Sequence, residues 1–189
     1  MTHKLVLASA SPRRQELLRL LTDDFIICPA DADETLPKNL PPEQQIETLA
    51  LRKAEDVFAK MPDCIVIGAD TMVFLDGKPL GKPVDAADAK RMLRLLSGRS
   101  HCVITGLAVL SPEGRQIRHR MTDVHFRELT DAEIERYIAT GEPMDKAGAY
   151  GIQKYGAVFV DGIQGDYFNI VGLPVELLYC MLKDFGVTG

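Results

Sequence analysis

The sequence predicts a mixed α/β or α+β fold in which helices pack on a central sheet. Apolar runs of strand length alternate along the chain with stretches whose apolar residues recur at helical spacing. Helices and strands that mix throughout a chain favour a sheet flanked by helices. The length of 189 residues permits one large domain or two small ones, and no repeat or linker-like tract divides the chain.

The chain is expected to begin with a strand that runs directly into a helix. Residues 4–8 are mostly apolar and predict a short buried strand, and the small residues from Ser9 to Ser11 predict a turn. Pro12 suits the first helical position, where its missing N–H costs nothing, and Ser11 suits the N-cap. This segment therefore predicts a strand, a tight loop and a helix N-terminus in succession.

A second helix is predicted at about residues 42–61. Its apolar positions recur at helical spacing and form one stripe, at Ile46, Leu49, Ala50, Ala54, Val57, Phe58 and Met61. Lys53 falls on the same stripe, seven residues after Ile46. A lysine therefore occupies a face that is expected to be buried.

The later elements follow from turn and capping patterns. Asp76 and Gly77 form a turn pair, Gly98 suits the end of a helix, and Thr130 with Glu133 forms a capping-box pattern. In chain order we expect a strand at 64–75, a helix at about 85–97, strands at 101–110 and 116–128, a helix from 130 to near 141, a loop-rich segment at 143–156, a strand at 157–163 and a closing helix at 175–185.

Charge and composition argue against several kinds of protein. The net charge of −5 disfavours a nucleic-acid-binding surface, and no apolar run approaches the roughly 18 residues that a membrane span needs. The scattered cysteines and histidines lack metal-ligand spacing, which argues against a zinc site. Residues 1–8 do not resemble a signal peptide, so we expect a cytoplasmic protein with no nucleic-acid or membrane partner.

Two arginines follow the turn of small residues. Arg13 and Arg14 occupy the first turn of the predicted helix, where acidic residues are usually preferred. A phosphate chain in front of this helix N-terminus and of Ser9 would explain them, because guanidinium groups match phosphate oxygens. A capped helix with two solvated arginines explains the pattern equally well.

Lys53 and Asp70 are charged residues at positions expected to be buried. Lys53 either extends its ammonium to water or points it into a ligand cleft, and the pattern alone favours water. Asp70 interrupts the apolar run 64–75 and needs a partner, a metal or a proton, because an unpaired buried carboxylate is costly. Gly68 and Ala69 leave room for close approach, which favours a functional role for Asp70 over a strand bend.

Other charged residues gain meaning only as a set. Glu34 and Asp70 together could hold Mg²⁺, which takes few protein carboxylates and completes its shell with water and phosphate oxygens. The basic residues that could neutralise a triphosphate are Arg13, Arg14, Lys53 and Lys82. Lys146, near Gln153, is a weaker candidate. No GxxxxGK[ST] motif is present, so the chain is not a P-loop enzyme.

Taken together, these motifs closely resemble the signature blocks of Maf proteins, once called septum formation inhibitors. The first block is Leu-Ala-Ser-Ala-Ser-Pro-Arg-Arg at residues 7–14. The matching blocks continue in the family's order at 33–34, 52–54, 68–71, 81–83, 96–98, 122–124, 145–153 and 171–174. They span almost the whole chain and are highly specific as a set.

The resemblance implies an inosine triphosphatase-like fold. In that fold a central, elongated mixed sheet is flanked by helices, with a cleft between two lobes, and one domain covers residues 1–189. The resemblance also implies cleavage of a nucleoside triphosphate between the α- and β-phosphates, with Mg²⁺ or another divalent cation such as Mn²⁺, by a homodimer. Asp70 matches the position of the proton acceptor, and the other charged residues above fall on motif positions.

Three positions resemble the branch of the family that acts on dTTP and UTP, namely Arg13, Thr71 and Gln153. The branch that acts on 7-methyl-GTP typically has tryptophan, glutamine and glutamate there. The expected enzyme hydrolyses dTTP and UTP and so cleans nucleotide pools, and the sequence leaves open whether it also acts on modified pyrimidine nucleotides. The catalytic set is Asp70, Glu34, Lys53 and Lys82; the substrate-binding set is Ser9, Arg13, Arg14, Thr71 and Gln153; and the metal ligands are Glu34 and Asp70.

A nucleotide-binding regulator of cell division and septum formation, acting through a protein partner, is the alternative. The family's older name suggests that role. Carboxylates set beside basic residues favour turnover instead, because a sensor needs no catalytic base.

Overall fold

The computed structural model describes residues 3–187, and its helices and strands alternate along the chain. The strands and helices are, in chain order, β1 Leu5–Leu7, α1 Pro12–Leu18, β2 Ile26–Ile27, α2 Pro42–Phe58, β3 Ile65–Leu75, β4 Lys78–Leu80, α3 Ala86–Leu96, β5 Ser100–Ser111, β6 Gly114–Phe126, α4 Asp131–Ala139, β7 Val160–Gln164, α5 Tyr167–Val171 and α6 Val175–Asp184. Short 3₁₀ turns occur at Glu142–Asp145, Ala147–Ala149 and Tyr155–Phe159.

The strands form one mixed sheet of seven strands. Six of them lie in the order β2-β1-β3-β5-β6-β7, and β4 pairs with β3. β1 is parallel to both β2 and β3, whereas β4 and β7 are antiparallel to their partners β3 and β6. The predicted mixed α/β sheet flanked by helices is thereby confirmed.

The chain folds into two compact units. The first comprises residues up to Asp70, Thr105–Arg120 and the segment from Gly172 onward. The second comprises Thr71–Ile104 and Met121–Val171. Strands β3, β5 and β6 each contribute residues to both units.

The core of the first unit lies between α2 and the strands of this unit. The predicted apolar stripe of α2 is buried from Ile46 to Val57, while Phe58 is partly buried. The apolar stripe packs against small and branched residues in or next to the strands, namely Val6, Ala8, Val66, Ala108 and Leu110. A helix buried along one face in this way is stabilised mainly by packing rather than by propensity.

Aromatic residues form much of the core of the second unit. Phe126 packs edge-on against Tyr150 and lies close to Phe159, with ring centroids 4.7 and 5.9 Å apart. His101 contacts the same cluster, and its Nε2 lies 2.7 Å from the Tyr150 hydroxyl. α3 and α4 pack together beside this core.

Most of the predicted boundaries are confirmed to within a few residues. Ser11 caps α1, and Thr130 and Glu133 form the full capping box of α4. α2 ends at Phe58, three residues early, because a turn follows it. The last strand begins at Val160 rather than 157, because the preceding residues form a 3₁₀ turn.

The short elements β2, β4 and α5 are not predicted by the sequence. Within residues 3–187, none of the helices is both long and apolar enough to span a bilayer.

Candidate functional site

Parallel pairing brings three segments of the first unit to one edge of the sheet. β1 lies between β2 and β3, and the Ala8 N–H donates to the carbonyl of Ile67 at 2.8 Å. The Cys28 N–H donates to the carbonyl of Leu7 at 3.1 Å. Because parallel strands end on the same side, the turn after β1, the loop after β2 and the part of β3 around Asp70 converge there.

A close contact between α2 and β3 brings the helix to this edge. A Cβ built on Gly68 would lie 2.2 Å from the Ala50 carbonyl oxygen and 2.8 Å from the Ala54 Cβ, so no larger residue fits. Lys53 precedes Ala54 on the helix, and Asp70 lies two residues beyond Gly68 on the strand. The backbone contact therefore brings the lysine and the carboxylate within reach of each other.

Lys53 forms two ion pairs at this point. Its Nζ lies 2.5 Å from Asp70 Oδ1 and 2.7 Å from Glu34 Oε1. The side chains of Lys53 and Asp70 are only 13% and 12% exposed, whereas that of Glu34 is 65% exposed. The ammonium thus ends on two carboxylates rather than in open water, and Asp70 has the partner that its burial demands.

The turn after β1 lies at the same edge and holds Arg14 in a fixed position. Arg14 Nε donates to the carbonyl of Gly172 at 2.9 Å, and Nη1 donates to Ser9 Oγ at 3.3 Å. Ser9 is buried, and its Oγ also accepts the N–H of Ser11 at 3.2 Å. Arg13 is half-buried beside them. We call these six residues the Lys53 cluster: Ser9, Arg13, Arg14, Glu34, Lys53 and Asp70.

Electrostatics couple the members of the Lys53 cluster. Burial lowers the pKa of the Arg14 guanidinium from its ordinary value, and the charge of Arg13 lowers it further. The charges of Asp70 and Glu34 act in the opposite direction. The first turn of α1 carries no acidic residue, so the helix N-terminus adds to the positive potential. This arrangement suits a polyanionic ligand.

The two carboxylates of the cluster fit a small divalent cation. Oxygens of Glu34 and Asp70 converge on one ammonium, so a cation already sits between them. Across residues 3–187 no group of three or more histidine, cysteine, aspartate or glutamate side chains is arranged to hold a metal. Mg²⁺ commonly takes one or two carboxylates and completes its shell with water and substrate phosphates, which matches this donor set.

The remaining predicted residues belong to the second unit. Thr71 follows Asp70 directly in β3 and is half-buried, whereas Lys82 and Gln153 are exposed. The N–H of Gly148 donates to the carbonyl of Gly81 at 3.0 Å. This bond ties the loop of Lys82 to the segment that leads to Gln153.

That segment, residues 146–153, has an irregular and partly strained backbone. Gly148 and Ala149 both have positive φ, 69° and 60°, and a Cβ on Gly148 would lie 2.9 Å from the side chain of Val73. Lys146 Nζ bonds to the carbonyl of Glu142 at 2.7 Å. A non-glycine residue in the left-handed region is uncommon, and such strain tends to cluster at ligand sites.

Sequence reasoning alone does not reveal two features of these regions. Arg52 belongs to a matched motif block but has no predicted role, although it donates to the loop that carries Glu34. The hydrogen bond between His101 and Tyr150, a residue of the 146–153 segment, is also unexpected. The position of Arg52 in a matched motif block is a signal that could have drawn attention to it. No local pattern pairs His101 with a residue 49 positions away.

The chain is similar to proteins of known families over almost its whole length. A family described as Maf-like protein matches residues 4–185. A protein of Moorella thermoacetica is 55% identical, with 97% of this chain and 96% of that protein covered. Proteins of Bacillus pumilus and Bacillus velezensis are 48% and 49% identical, with 98% and 99% of both chains covered. Each of the three is named dTTP/UTP pyrophosphatase.

Proposed function

The chain belongs to the Maf family, and we propose that it hydrolyses dTTP and UTP to the monophosphate and pyrophosphate. The names of relatives about 50% identical over nearly the full chain support this reaction. The observation that carries the proposal is the Lys53 ammonium held between Asp70 and Glu34, beside two arginines at a helix N-terminus. Carboxylates and cations are thus concentrated at one edge of the sheet, as phosphoryl chemistry requires.

Asp70 is the proton acceptor in this proposal. A water oxygen attacks the α-phosphorus and forms a new P–O bond, while the bond to the oxygen that bridges to the β-phosphate breaks. The proton of the water passes to the Asp70 carboxylate, and pyrophosphate leaves. The buried, hydrogen-bonded position of Asp70 gives it the fixed orientation that a general base needs.

The basic residues stabilise the charge that develops on the leaving pyrophosphate. Arg13, Arg14, Lys53 and Lys82 carry that role. Arg14 is already oriented by Gly172 and Ser9, so little reorganisation is needed as the charge develops. Such preorganised charge commonly supplies the largest part of a rate enhancement.

Glu34 and Asp70 are the proposed ligands of Mg²⁺ or another divalent cation such as Mn²⁺. When bound, such an ion polarises phosphate oxygens and neutralises part of their charge. The Lys53 ammonium contacts the same two carboxylates, and from this position it would also pair with a phosphate oxygen of the substrate.

Gln153 and Thr71 are the proposed readers of the pyrimidine. A carboxamide both donates and accepts hydrogen bonds, which suits the O4 and N3–H edge shared by uracil and thymine. The exposure of Gln153 leaves its side chain accessible to a ligand. Arg13 is the third position assigned to substrate preference.

Further parts of the proposal rest on the family resemblance and the sequence. They are one domain spanning residues 1–189, a homodimer, a cytoplasmic location and no nucleic-acid partner. The physiological role that follows from the reaction is the removal of unwanted pyrimidine nucleotides from the nucleotide pool.

The test is pyrophosphate release from UTP, dTTP, CTP, GTP and 7-methyl-GTP, with Mg²⁺ and with EDTA. We expect release that depends on Mg²⁺ and is concentrated on UTP and dTTP. Release mainly from 7-methyl-GTP would overturn the assignment of the pyrimidine-reading residues. Release from none of the five nucleotides would overturn the reaction itself.

A further inference from the structure

Glu34 lies on a loop that forms neither a helix nor a strand. Residues 28–37 are irregular throughout, and the Glu34 side chain is 65% exposed. An exposed carboxylate on such a loop would sample many positions, because ordering each residue costs conformational entropy. An ion pair is a weak restraint on an exposed side chain. The contacts of the loop backbone therefore matter for where the carboxylate lies.

Arg52 holds the loop on both sides of Glu34. Its Nη1 donates to the carbonyl of Thr35 at 2.8 Å and to the carbonyl of Asp33 at 3.2 Å. It also lies 3.3 Å from Asp33 Oδ2. The other carboxylate oxygen of Asp33 accepts the N–H of Thr35 at 2.9 Å, which closes a tight turn around Glu34.

α2 provides a second anchor for the same loop. Asp56 lies one helical turn after Arg52, and its Oδ2 accepts the N–H of Asp31 at 2.9 Å. Lys53, next to Arg52, contacts Glu34 itself. One stretch of α2 therefore fixes the loop before, at and after the proposed metal ligand.

We propose that Arg52 is a positioning residue, which holds the Glu34 carboxylate where the divalent cation binds. The inference rests on the proposed function for the role of Glu34 as a metal ligand. The contacts of Arg52 with the loop are seen in the structure itself. Arg52 acts through the backbone of residues 33 and 35 and contacts neither substrate nor metal. A guanidinium that orients a metal ligand in this way has the position of an outer-shell partner.

The test compares Arg52→Ala with Arg91→Ala. Arg91 is also a helical arginine that pairs with an aspartate, but Asp88 lies on its own helix, and the hydrogen bond that Asp88 accepts from the Val84 N–H does not involve Arg91. Mn²⁺ affinity is measured on the nucleotide-free protein by titration calorimetry, and the half-saturating Mg²⁺ concentration is measured for pyrophosphate release. We expect both to weaken about tenfold or more in Arg52→Ala and to stay unchanged in Arg91→Ala.

A double-mutant cycle separates positioning from a general structural role. Glu34→Gln weakens Mn²⁺ binding directly, and in that background Arg52→Ala should have little further effect. An equal loss of affinity in both backgrounds would overturn the proposal, since Arg52 would then act independently of Glu34. If the alanine variant does not fold, Arg52→Lys takes its place, because lysine keeps one cationic donor.

The outcome also distinguishes this inference from the proposed function. If the unmodified protein releases no pyrophosphate, the reaction is wrong, yet the Mn²⁺ cycle still decides whether Arg52 acts through Glu34. If the unmodified protein binds no Mn²⁺, alone or with a non-hydrolysable UTP analogue, the positioning role is overturned even where turnover is observed.

Discussion

The Lys53 cluster and the 146–153 segment are built in opposite ways. The cluster places most of its charges on regular elements, in the first turn of α1, inside β3 and along α2, and Glu34 lies on a loop that is bonded to α2. Its central carboxylate and ammonium are almost fully buried. The segment is irregular, it has positive φ at Gly148 and Ala149, and Gln153 at its end is exposed. The Lys53 cluster is fixed by the packing of α2 on β3, whereas the 146–153 segment is held in an uncommon backbone conformation.

This difference separates the two tasks of the proposed enzyme. Charges that stabilise a transition state must be placed before the reaction, and packed elements fix them well. Recognition of a base needs a few polar groups that a ligand can reach, and loops present them. Substitutions in the cluster should therefore affect turnover, whereas substitutions around Gln153 should affect the choice of substrate.

The largest effect is expected from Asp70→Asn. Loss of the general base should reduce turnover by about 10²- to 10⁴-fold, while UTP binding remains measurable and the preference for pyrimidines is kept. Pyrophosphate release and calorimetric UTP binding are measured, with Asp63→Asn at an exposed position as the control. Turnover close to that of the unmodified protein would show that Asp70 is not the base.

Lys53→Met tests how the charges of the cluster depend on one another. It leaves the Asp70 carboxylate buried without its ammonium, so the free energy of unfolding should fall by about 3 kcal/mol. Adding Asp70→Asn to Lys53→Met should restore most of that stability. The matched control is Lys60→Met, which breaks the exposed pair with Asp56 and should cost less than about 1 kcal/mol. Equal losses in the two variants would mean that burial does not distinguish these pairs.

His101, which is hydrogen-bonded to Tyr150 of the 146–153 segment, is expected to make the stability of the protein depend on pH. Burial lowers the pKa of His101 to about 4, and the charge of His125 adds to the effect. As the pH falls, His101 is therefore protonated in the unfolded chain before it is protonated in the folded protein. Stability should decrease from about pH 6.5 towards pH 4, by up to about 3 kcal/mol, and should be unaffected by this group above that range.

Denaturant unfolding between pH 4 and pH 7 measures this slope. His101→Phe should make it shallower, although the variant loses the hydrogen bond to Tyr150 at every pH. His119→Gln, at a half-buried position beside Glu47, serves as the control. An unchanged slope in His101→Phe would contradict the assignment.

The smallest effect is expected from Gln153→Glu. It should lower kcat/KM for UTP and dTTP by about 10- to 100-fold, because the carboxylate cannot donate to the base. Purine nucleotides should be affected less, and stability should not change because the position is exposed. The control is Gln164→Glu, at an exposed position of β7. Equal losses for all bases would rule out a role of Gln153 in specificity.

Local patterns predict most of the fold. Ser11, Thr130 and Glu133 mark where helices begin, because capping depends on residues only a few positions apart. β2 has only two residues and is exposed, and its existence depends on pairing with β1 rather than on its own pattern. Such long-range pairing is not visible in a short stretch of sequence.

The candidate site was predictable residue by residue but not as a geometry. The helical stripe shows that Lys53 lies on a buried face, and the strand pattern shows that Asp70 needs a partner. That each is the partner of the other depends on the contact between two backbones at Gly68. Arg52 has the pattern of a solvated helical arginine, and only the position of the loop shows its contacts.

Gly68 carries no functional group, yet it sets the distance across which the proposed chemistry acts. Even a methyl group at this position would press on the Ala50 carbonyl and lift α2 away from β3. The lysine and the carboxylate would then separate, although neither had been replaced. A screen that scores only polar and charged positions would overlook this residue. A Gly68→Ala replacement, chosen to reduce the conformational entropy of the unfolded chain, would instead disturb the alignment of the Lys53 ammonium with the Asp70 carboxylate.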